Sequence, residues 1–221
     1  MKRILVFGDS NSWGYTDEDN GQRYKKRWPV LLSQKLIQKG FNTEIIEDCL
    51  PGRTTNIDDP QDGIHLNGAK VLKSSLLSHS PIDLVLLMLG TNDLKFRFQR
   101  TAENIADGIK ELIKIVLDTN SGLGGWHDAN KSNLVVICPP TLGEKSYDPK
   151  WINFKEWKGG LEKSKELHFS FEKVCNQMGV HLIDANEFCQ SSSIDPIHWS
   201  KKMHLKFSEN LAKIISQKIK L

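Results

Sequence analysis

The stretch "IDLVLLMLG", residues 82–90, is apolar almost without interruption. Such a run is typical of a parallel strand that is covered by helices on both faces of a sheet. Four more short apolar runs have the composition of strands, each bounded by glycine, proline or polar residues. They are "RILVF" (3–7), "NTEIIED" (42–48), "SNLVVICPP" (132–140) and "VHLIDA" (180–185). The sequence therefore predicts five strands.

Segments with helical spacing of apolar residues separate these strands. They cover residues 28–40, 66–79, 101–119, 161–179 and 200–219. The helix over 101–119 begins with an imperfect capping box, because Asn104 takes the place of the usual glutamate three residues after Thr101. Regular alternation of strand and helix predicts an α/β fold, a three-layer α/β/α sandwich around a five-stranded parallel sheet of flavodoxin-like order. A Gly-rich loop is expected over 120–131, and 141–160 is long and aromatic.

Length and composition narrow the class of protein. The chain has 221 residues, 38% hydrophobic content and a formal net charge of +3, which suits one domain spanning residues 1–221. Its short basic clusters lack the stripe or module that nucleic-acid binding would need. No segment is apolar enough for a membrane span, and the N-terminal apolar run is too short for a signal peptide. We therefore expect a cytoplasmic protein with neither nucleic acid nor membrane as partner.

The cysteines form no pair with ligand-like spacing. Cys49, Cys138, Cys175 and Cys189 are scattered and include no C-x-x-C motif. This pattern predicts neither a metal site nor a dense disulfide framework, and nothing else in the sequence calls for a cofactor.

Polar motifs follow four of the predicted strands. They are "GDSNSWGY" after the first strand, "PGRTT" (51–55) after the second, "GTND" (90–93) after the third and "DPIHW" (195–199) after the fifth. Ligands of open α/β sheets bind beyond the carboxyl ends of the strands, so we expect these segments to meet at one edge.

The residues at that edge suit nucleophilic catalysis. A serine hydroxyl needs an adjacent base, and His198 with Asp195 three residues earlier offers a base and its orienting carboxylate for Ser10. The alternative for Ser10 alone is a turn or capping serine. His204 is the competing histidine, but it lacks a carboxylate at that spacing. Backbone N–H groups of Ser10 and Gly52, with the side chain of Asn92, could stabilise an oxyanion.

With these residues in place, the sequence resembles the SGNH hydrolases, also called the GDSL esterase/lipase family. Its four name-giving residues correspond here to Ser10, Gly52, Asn92 and His198, in family order across nearly the whole chain. "GRTT", "LNGAKVL" and "LMLGTNDLK" resemble the aryl esterase/acyltransferase subgroup. One departure is Asn11, which stands where the family motif has leucine.

The resemblance implies a serine esterase that cleaves short acyl or aryl esters through an acyl-enzyme, with transfer to alcohols as a further outcome. It implies a small-molecule ester as substrate, no cofactor or metal, and a homo-oligomer. A carbohydrate O-deacetylase with the same triad is an alternative. A non-catalytic, flavodoxin-like ligand-binding domain is another, although Asp9 would repel a phosphate.

Aromatic residues near the motifs raise the question of substrate binding. Trp13 lies three residues after Ser10, and Trp199 follows His198 directly. We expect both, together with Asn11, to contact substrate, with core packing as the alternative for the tryptophans. The aromatic stretch 147–157 could instead belong to an interface.

Overall fold

The computed structural model describes residues 1–124 and 127–219. Five parallel strands form one sheet in the order β2-β1-β3-β4-β5, the flavodoxin-like order that the sequence predicts. The strands are β1 (Lys2–Gly8), β2 (Thr43–Cys49), β3 (Leu84–Met88), β4 (Asn133–Cys138) and β5 (His181–Asp184). All pairings are parallel, so the carboxyl ends of the strands share one edge.

Seven helices accompany the sheet in the described residues. They are α1 (Ser10–Trp13), α2 (Trp28–Gln38), α3 (Gly68–His79), α4 (Ala102–Asp118), α5 (Phe154–Trp157), α6 (Gly160–Met178) and α7 (Lys201–Lys218). The five long ones are the helices predicted from apolar spacing, within two residues at each end. Residues 125 and 126 of the predicted loop over 120–131 lie outside the described residues.

The helices cover both faces of the sheet. On one face, side chains of α3, α4 and α6 pack against Leu5, Val85 and Val136. On the other face, α2 and α7 pack against Ile4 and Leu86. Residues that alternate along a strand therefore enter two separate cores, which explains why the β3 run is apolar at every position.

None of the helices in the described parts of the chain is long and apolar enough to cross a lipid bilayer.

Candidate active site

Ser10 lies immediately beyond the carboxyl end of β1. The strand ends at Gly8, and Asp9 caps α1 by accepting a hydrogen bond from the Asn11 backbone N–H (3.0 Å). A side chain at Gly8 would collide with the Ser12 hydroxyl, which the added Cβ would approach to 2.3 Å. Ser10 is thereby held as the first residue of a short helix, where its backbone N–H has no acceptor within the helix.

Ser10, His198 and Asp195 form a continuous chain of hydrogen bonds. His198 Nε2 lies 3.0 Å from Ser10 Oγ, and His198 Nδ1 lies 2.6 Å from Asp195 Oδ2. The other carboxylate oxygen, Oδ1, accepts hydrogen bonds from the backbone N–H groups of Ile197 (2.8 Å) and His198 (3.2 Å). The structure thus brings together the three residues that the sequence analysis selected as candidate nucleophile, base and orienter.

The charge of Asp195 is stabilised in this setting. Burial by itself would raise the pKa of its carboxyl group, but the hydrogen bond and charge of His198, with the two backbone donors, lower that pKa below its usual value. Asp195 is therefore ionised at neutral pH and can fix the tautomer of His198 with the proton on Nδ1.

Tyr15 packs against the imidazole ring of His198. The two ring centroids are 4.1 Å apart and the planes are inclined by 37°. Burial, followed by the charges of Asp195 and Asp17, raises the pKa of the Tyr15 hydroxyl, so it remains neutral. An aromatic face beside His198 restricts the rotation of the imidazole ring. The sequence analysis did not single out Tyr15 as a partner of His198, because its proximity depends on the turn after α1.

Asn11 holds the segment that carries His198. Its Nδ2 donates to the Ile197 carbonyl oxygen (3.2 Å), and its Oδ1 accepts from the Trp199 backbone N–H (3.1 Å). The two bonds bracket His198 on either side, while Asn11 itself adjoins Ser10. Asn11 is only 1% exposed and its amide is already bonded to the backbone, while its expected contact with substrate stays a prediction.

The two tryptophans expected at the substrate site lie elsewhere. Trp199 is fully buried and packs against Phe207 and His204 in the core. Trp13 lies outside the cavity, with the guanidinium of Arg23 5.5 Å from its ring centroid. Neither tryptophan lines the cavity at Ser10, because adjacency to Ser10 or His198 in the chain does not fix the direction of a side chain. Their contact with substrate stays a prediction.

The two other predicted oxyanion groups face Ser10 from neighbouring loops. Gly52 has φ +89°, which L side chains rarely adopt, so glycine is required at this turn. Asn92 follows β3 and donates from Nδ2 to the Arg53 carbonyl oxygen (3.2 Å). This bond uses one of its two amide hydrogens and leaves the other for the site.

Buried charges hold these loops in place. Asp93 accepts hydrogen bonds from the backbone N–H (3.0 Å) and hydroxyl (2.6 Å) of Thr55, and it pairs with Arg100 at 2.7 Å. Arg53 donates to the carbonyl oxygens of Gly8 and Asp48, which joins the loop to the ends of β1 and β2.

Asp9 is the second carboxylate near Ser10, but it has a different environment. Burial raises its pKa to about 6, partly offset by the Asn11 backbone N–H and the nearby His198. Its Oδ2 atom is buried without a hydrogen-bond partner. Asp9 therefore acts as a cap for α1.

His204 does not compete with His198 as a base. It is fully buried, and its Nδ1 accepts a hydrogen bond from the Trp28 backbone N–H (3.2 Å). Burial lowers its pKa to about 4, so it is neutral and joins α7 to α2.

A cavity of about 250 Å³ opens at Ser10. Its walls come from all four motif segments and from α5, and the lining residues are Ser10, Tyr15, Pro51, Gly52, Asn92, Lys95, Asn153, Glu156, Trp157, Asp195, Ile197 and His198. Lys95 Nζ lies 3.3 Å from Glu156 Oε1 and 5.8 Å from the centroid of the Trp157 ring. The sequence analysis missed Asn153 and Glu156, because no periodicity or motif connects the 141–160 segment with Ser10. It quoted Lys95 only as the last residue of "LMLGTNDLK" and assigned it no role at the site.

Comparison with known proteins agrees with the geometry. Residues 6–206 match the GDSL-like Lipase/Acylhydrolase family. The chain belongs to this family, whose members are ester hydrolases.

Individual relatives have related descriptions. An inhibitor-bound aryl esterase of M. smegmatis is 36% identical, with a TM-score of 0.87 over 98% of this chain and 99% of that one. A carbohydrate acetylesterase from Sinorhizobium meliloti is 33% identical, with the same TM-score and coverage. An arylesterase of Vibrio mimicus is 29% identical over 147 residues, which are 66% of this chain and 60% of the relative's length.

Proposed function

We propose that the protein is a serine esterase that cleaves short-chain acyl esters through an acyl-enzyme. Ser10 Oγ attacks the ester carbonyl carbon while His198 Nε2, 3.0 Å away, takes the hydroxyl proton. The imidazolium that forms is stabilised by Asp195 at Nδ1. The hydrogen-bond chain from Asp195 through His198 to Ser10 is the single observation that carries this proposal.

The negative oxygen of the tetrahedral intermediate needs donors that are already in place. We assign these to the backbone N–H groups of Ser10 and Gly52 and to Asn92 Nδ2, which adjoin the cavity from three separate segments. Loss of one such donor in other hydrolases lowers turnover by about 10²–10³. Collapse of the intermediate expels the alcohol, which takes its proton from His198, and leaves the acyl group on Ser10.

The second half of the reaction repeats these steps with water as nucleophile. His198 removes a proton from the water, the acid is released, and Ser10 regains its proton. An alcohol in the same cavity would receive the acyl group instead, so acyl transfer requires no additional residue. Neither half-reaction needs a cofactor.

The cavity size supports a short acyl group. About 250 Å³ lies below the usual size range for drug-like ligands, about 300–1,000 Å³. An acetyl-sized group fits this space beside the leaving alcohol, whereas a long acyl chain would extend beyond it.

A carbohydrate O-deacetylase is the second candidate. Lys95, Asn153 and Glu156 place charged and amide groups on the cavity wall, where a hydroxylated leaving group could form hydrogen bonds. The likeness to a carbohydrate acetylesterase from Sinorhizobium meliloti supports the same reading. Parallel assays with aryl acetates and acetylated sugars distinguish the two by kcat/KM.

We also propose that the protein is cytoplasmic and self-associates. All four cysteines are free, which suits a reducing compartment. Exposed isoleucines and a phenylalanine on the loops beside the cavity support an interface between copies.

Hydrolysis of p-nitrophenyl esters from acetate to octanoate, by the wild type and Ser10→Ala, tests the esterase proposal. We expect the short esters to react, and the variant to lose at least about 1,000-fold in kcat, the order of a lost triad nucleophile. Ser12→Ala is the matched control, because the Ser12 hydroxyl faces Gly8 rather than His198. Equal activity of wild type and Ser10→Ala would contradict the proposal.

A fluorophosphonate probe gives an independent answer, because it reports on Ser10 without requiring the natural substrate. We expect covalent labelling of the wild type and none of Ser10→Ala. An unlabelled wild type would favour the alternative of a flavodoxin-like ligand-binding domain.

A further inference from the structure

Three potential metal ligands meet on a different part of the sheet from Ser10. Cys138 ends β4 and Asp184 ends β5, and the strand register places these two residues side by side. His168 lies on α6, the helix that packs over the two strands. One ligand atom from each residue lies within 4.8 Å of the other two. The sequence could not predict this cluster, since its members are 16 to 46 positions apart and share no motif.

The distances suit one small cation. His168 Nδ1 and Asp184 Oδ2 are 3.3 Å apart. Zinc bonds of about 2.0–2.3 Å to nitrogen, oxygen and sulfur place the ligand atoms of one tetrahedral site about 3.3–3.8 Å apart. The ligand atoms, all within 4.8 Å of one another, therefore need to approach by no more than about 1.5 Å to complete such a site.

The polar atoms of the cluster are poorly satisfied by the protein itself. His168 Nδ1 is buried and lacks a hydrogen-bond partner. The Cys138 thiol has a 3.5 Å contact with the carbonyl oxygen of Pro139, its neighbour in the chain. Asp184 uses Oδ1 to accept from the Asn186 backbone (3.0 Å) and side chain (2.7 Å), and its Oδ2 faces His168. A buried atom without a partner costs free energy that a bound cation would recover.

We propose that Cys138, His168 and Asp184 bind a zinc ion, with water as the fourth ligand. Thiolate, imidazole and carboxylate together form a donor set that favours zinc over magnesium or calcium, which prefer oxygen ligands. The side chain of His168 is 41% exposed, so the site is open to solvent on that side. An ion pair between His168 and Asp184 is the alternative occupant of the same space, and it would contribute little at this exposure.

The site is separate from the cavity at Ser10, and none of its three ligands lines that cavity. Its role is therefore structural. A zinc ion would fasten the edge strand β5 to β4 and α6 at the start of the segment that leads to Asp195. It would stabilise the folded state in proportion to the logarithm of the free zinc concentration.

Zinc titration of the chelator-treated, tag-free protein tests the proposal by calorimetry. We expect one equivalent to bind the wild type, and His168→Gln to bind at least about 30-fold more weakly. His181→Gln is the matched control, since His181 is an exposed histidine at the other end of β5. With zinc at about 100 times its Kd, Tm should rise by about 5–10 °C in the wild type and in the control.

Cobalt substitution identifies the sulfur ligand without relying on a variant that could fail to fold. The cobalt form of the wild type should show a thiolate-to-cobalt charge-transfer band in the near ultraviolet, and folded Cys138→Ser should lack it. Three results would each overturn the proposal. They are the absence of stoichiometric zinc binding, zinc binding by His168→Gln as tight as by the wild type, and a wild-type cobalt spectrum without the thiolate band.

Discussion

At the scale of single residues, Asn11 shows how Ser10 and His198, the proposed nucleophile and base, are held in position relative to each other. It adjoins Ser10 in the chain and bonds to the backbone on both sides of His198. The leucine found in the family motif could form neither bond. The fold brings the segments that carry Ser10 and His198 together, and the two hydrogen bonds of Asn11 fix their relative position.

Asn11→Leu should therefore lower kcat more than it raises KM. Misplacement of a catalytic group by about an ångström can cost about 100-fold, and we expect a loss of about 10–100-fold in kcat. Fluorophosphonate labelling should slow in parallel. Asn11→Asp keeps an acceptor for the Trp199 N–H but loses the donor to Ile197. Its kcat should therefore lie between those of the wild type and Asn11→Leu.

A merely structural role for Asn11 would lower Tm and leave kcat of the folded fraction unchanged. That outcome would contradict a positioning role even if Ser10→Ala confirms the nucleophile.

At this scale, the sequence selects candidate residues where chain order and chemistry agree. Ser10, Asp195 and His198 could be selected because each has few alternatives of the right type at the right strand end. The position of Trp199 could not be predicted, because adjacency to His198 in the chain does not fix the direction of its side chain, and its ring enters the core. Lys95 and Glu156 meet at the cavity only through tertiary folding.

At the scale of elements, the start of α4 shows that a capping box tolerates asparagine at helix position N3, three residues after the N-cap. Thr101 Oγ1 accepts from the Asn104 backbone N–H, and Asn104 Oδ1 accepts from the Thr101 backbone N–H, both at 3.2 Å. The sequence pattern is imperfect only because glutamate is more common there. The shorter asparagine side chain still reaches the same N–H group.

Thr101→Ala should destabilise the protein by about 0.5–2 kcal/mol, the usual cost of losing an N-cap side chain. Denaturant unfolding measures this loss, with kcat of the folded protein unchanged, because α4 contributes no residue to the cavity. A double-mutant cycle with Asn104→Ala should show coupling between the two side chains. If the losses in unfolding free energy of the two single variants add up to that of the double variant, the two hydrogen bonds of the capping box act independently.

The long helices and all five strands were predictable because each repeats its apolar pattern over several turns or alternations. Segment 141–159 was not, since the four-residue helix α5 is too short to show a period. Its packing depends on contacts with distant loops, such as the ion pair between Arg97 and Glu156.

At the scale of the whole molecule, apolar side chains surround the carboxyl edge of the sheet. Ile152 is 91% exposed and Ile194 is 64% exposed, and Ile64 and Phe96 are exposed on two further loops. The loops that carry them follow four different strands. A second copy of the chain would cover these side chains and narrow the entrance to the cavity.

Light scattering coupled to size exclusion should therefore report a mass that is a multiple of 25.1 kDa. Ile152→Lys should shift the distribution towards the monomer, because a charge would be buried in the interface. Ile37→Lys, at an exposed position on α2, is the matched control. A monomeric wild type at micromolar concentration would show that the patch does not mediate self-association.

The sheet order itself was predictable at this scale. Parallel strands joined by right-handed crossovers leave few arrangements, and the polar motifs after four strands require a common edge. The side-chain network that joins the loops at this edge was not predictable. It depends on pairs such as Asp93 with Arg100 and Arg97 with Asp59, whose geometry no local pattern encodes.

The separation of Ser10 and His198 by 188 positions has a consequence for synthesis of the chain. A ribosome adds about 5–20 residues per second, so about 10–40 s pass between the appearance of the serine and that of the histidine. During this interval the nascent chain holds a serine without its base. Under the mechanism proposed above, acyl chemistry begins only once the histidine has joined Ser10 and α7 has docked against α2, so the first ester cleaved would mark the completion of folding.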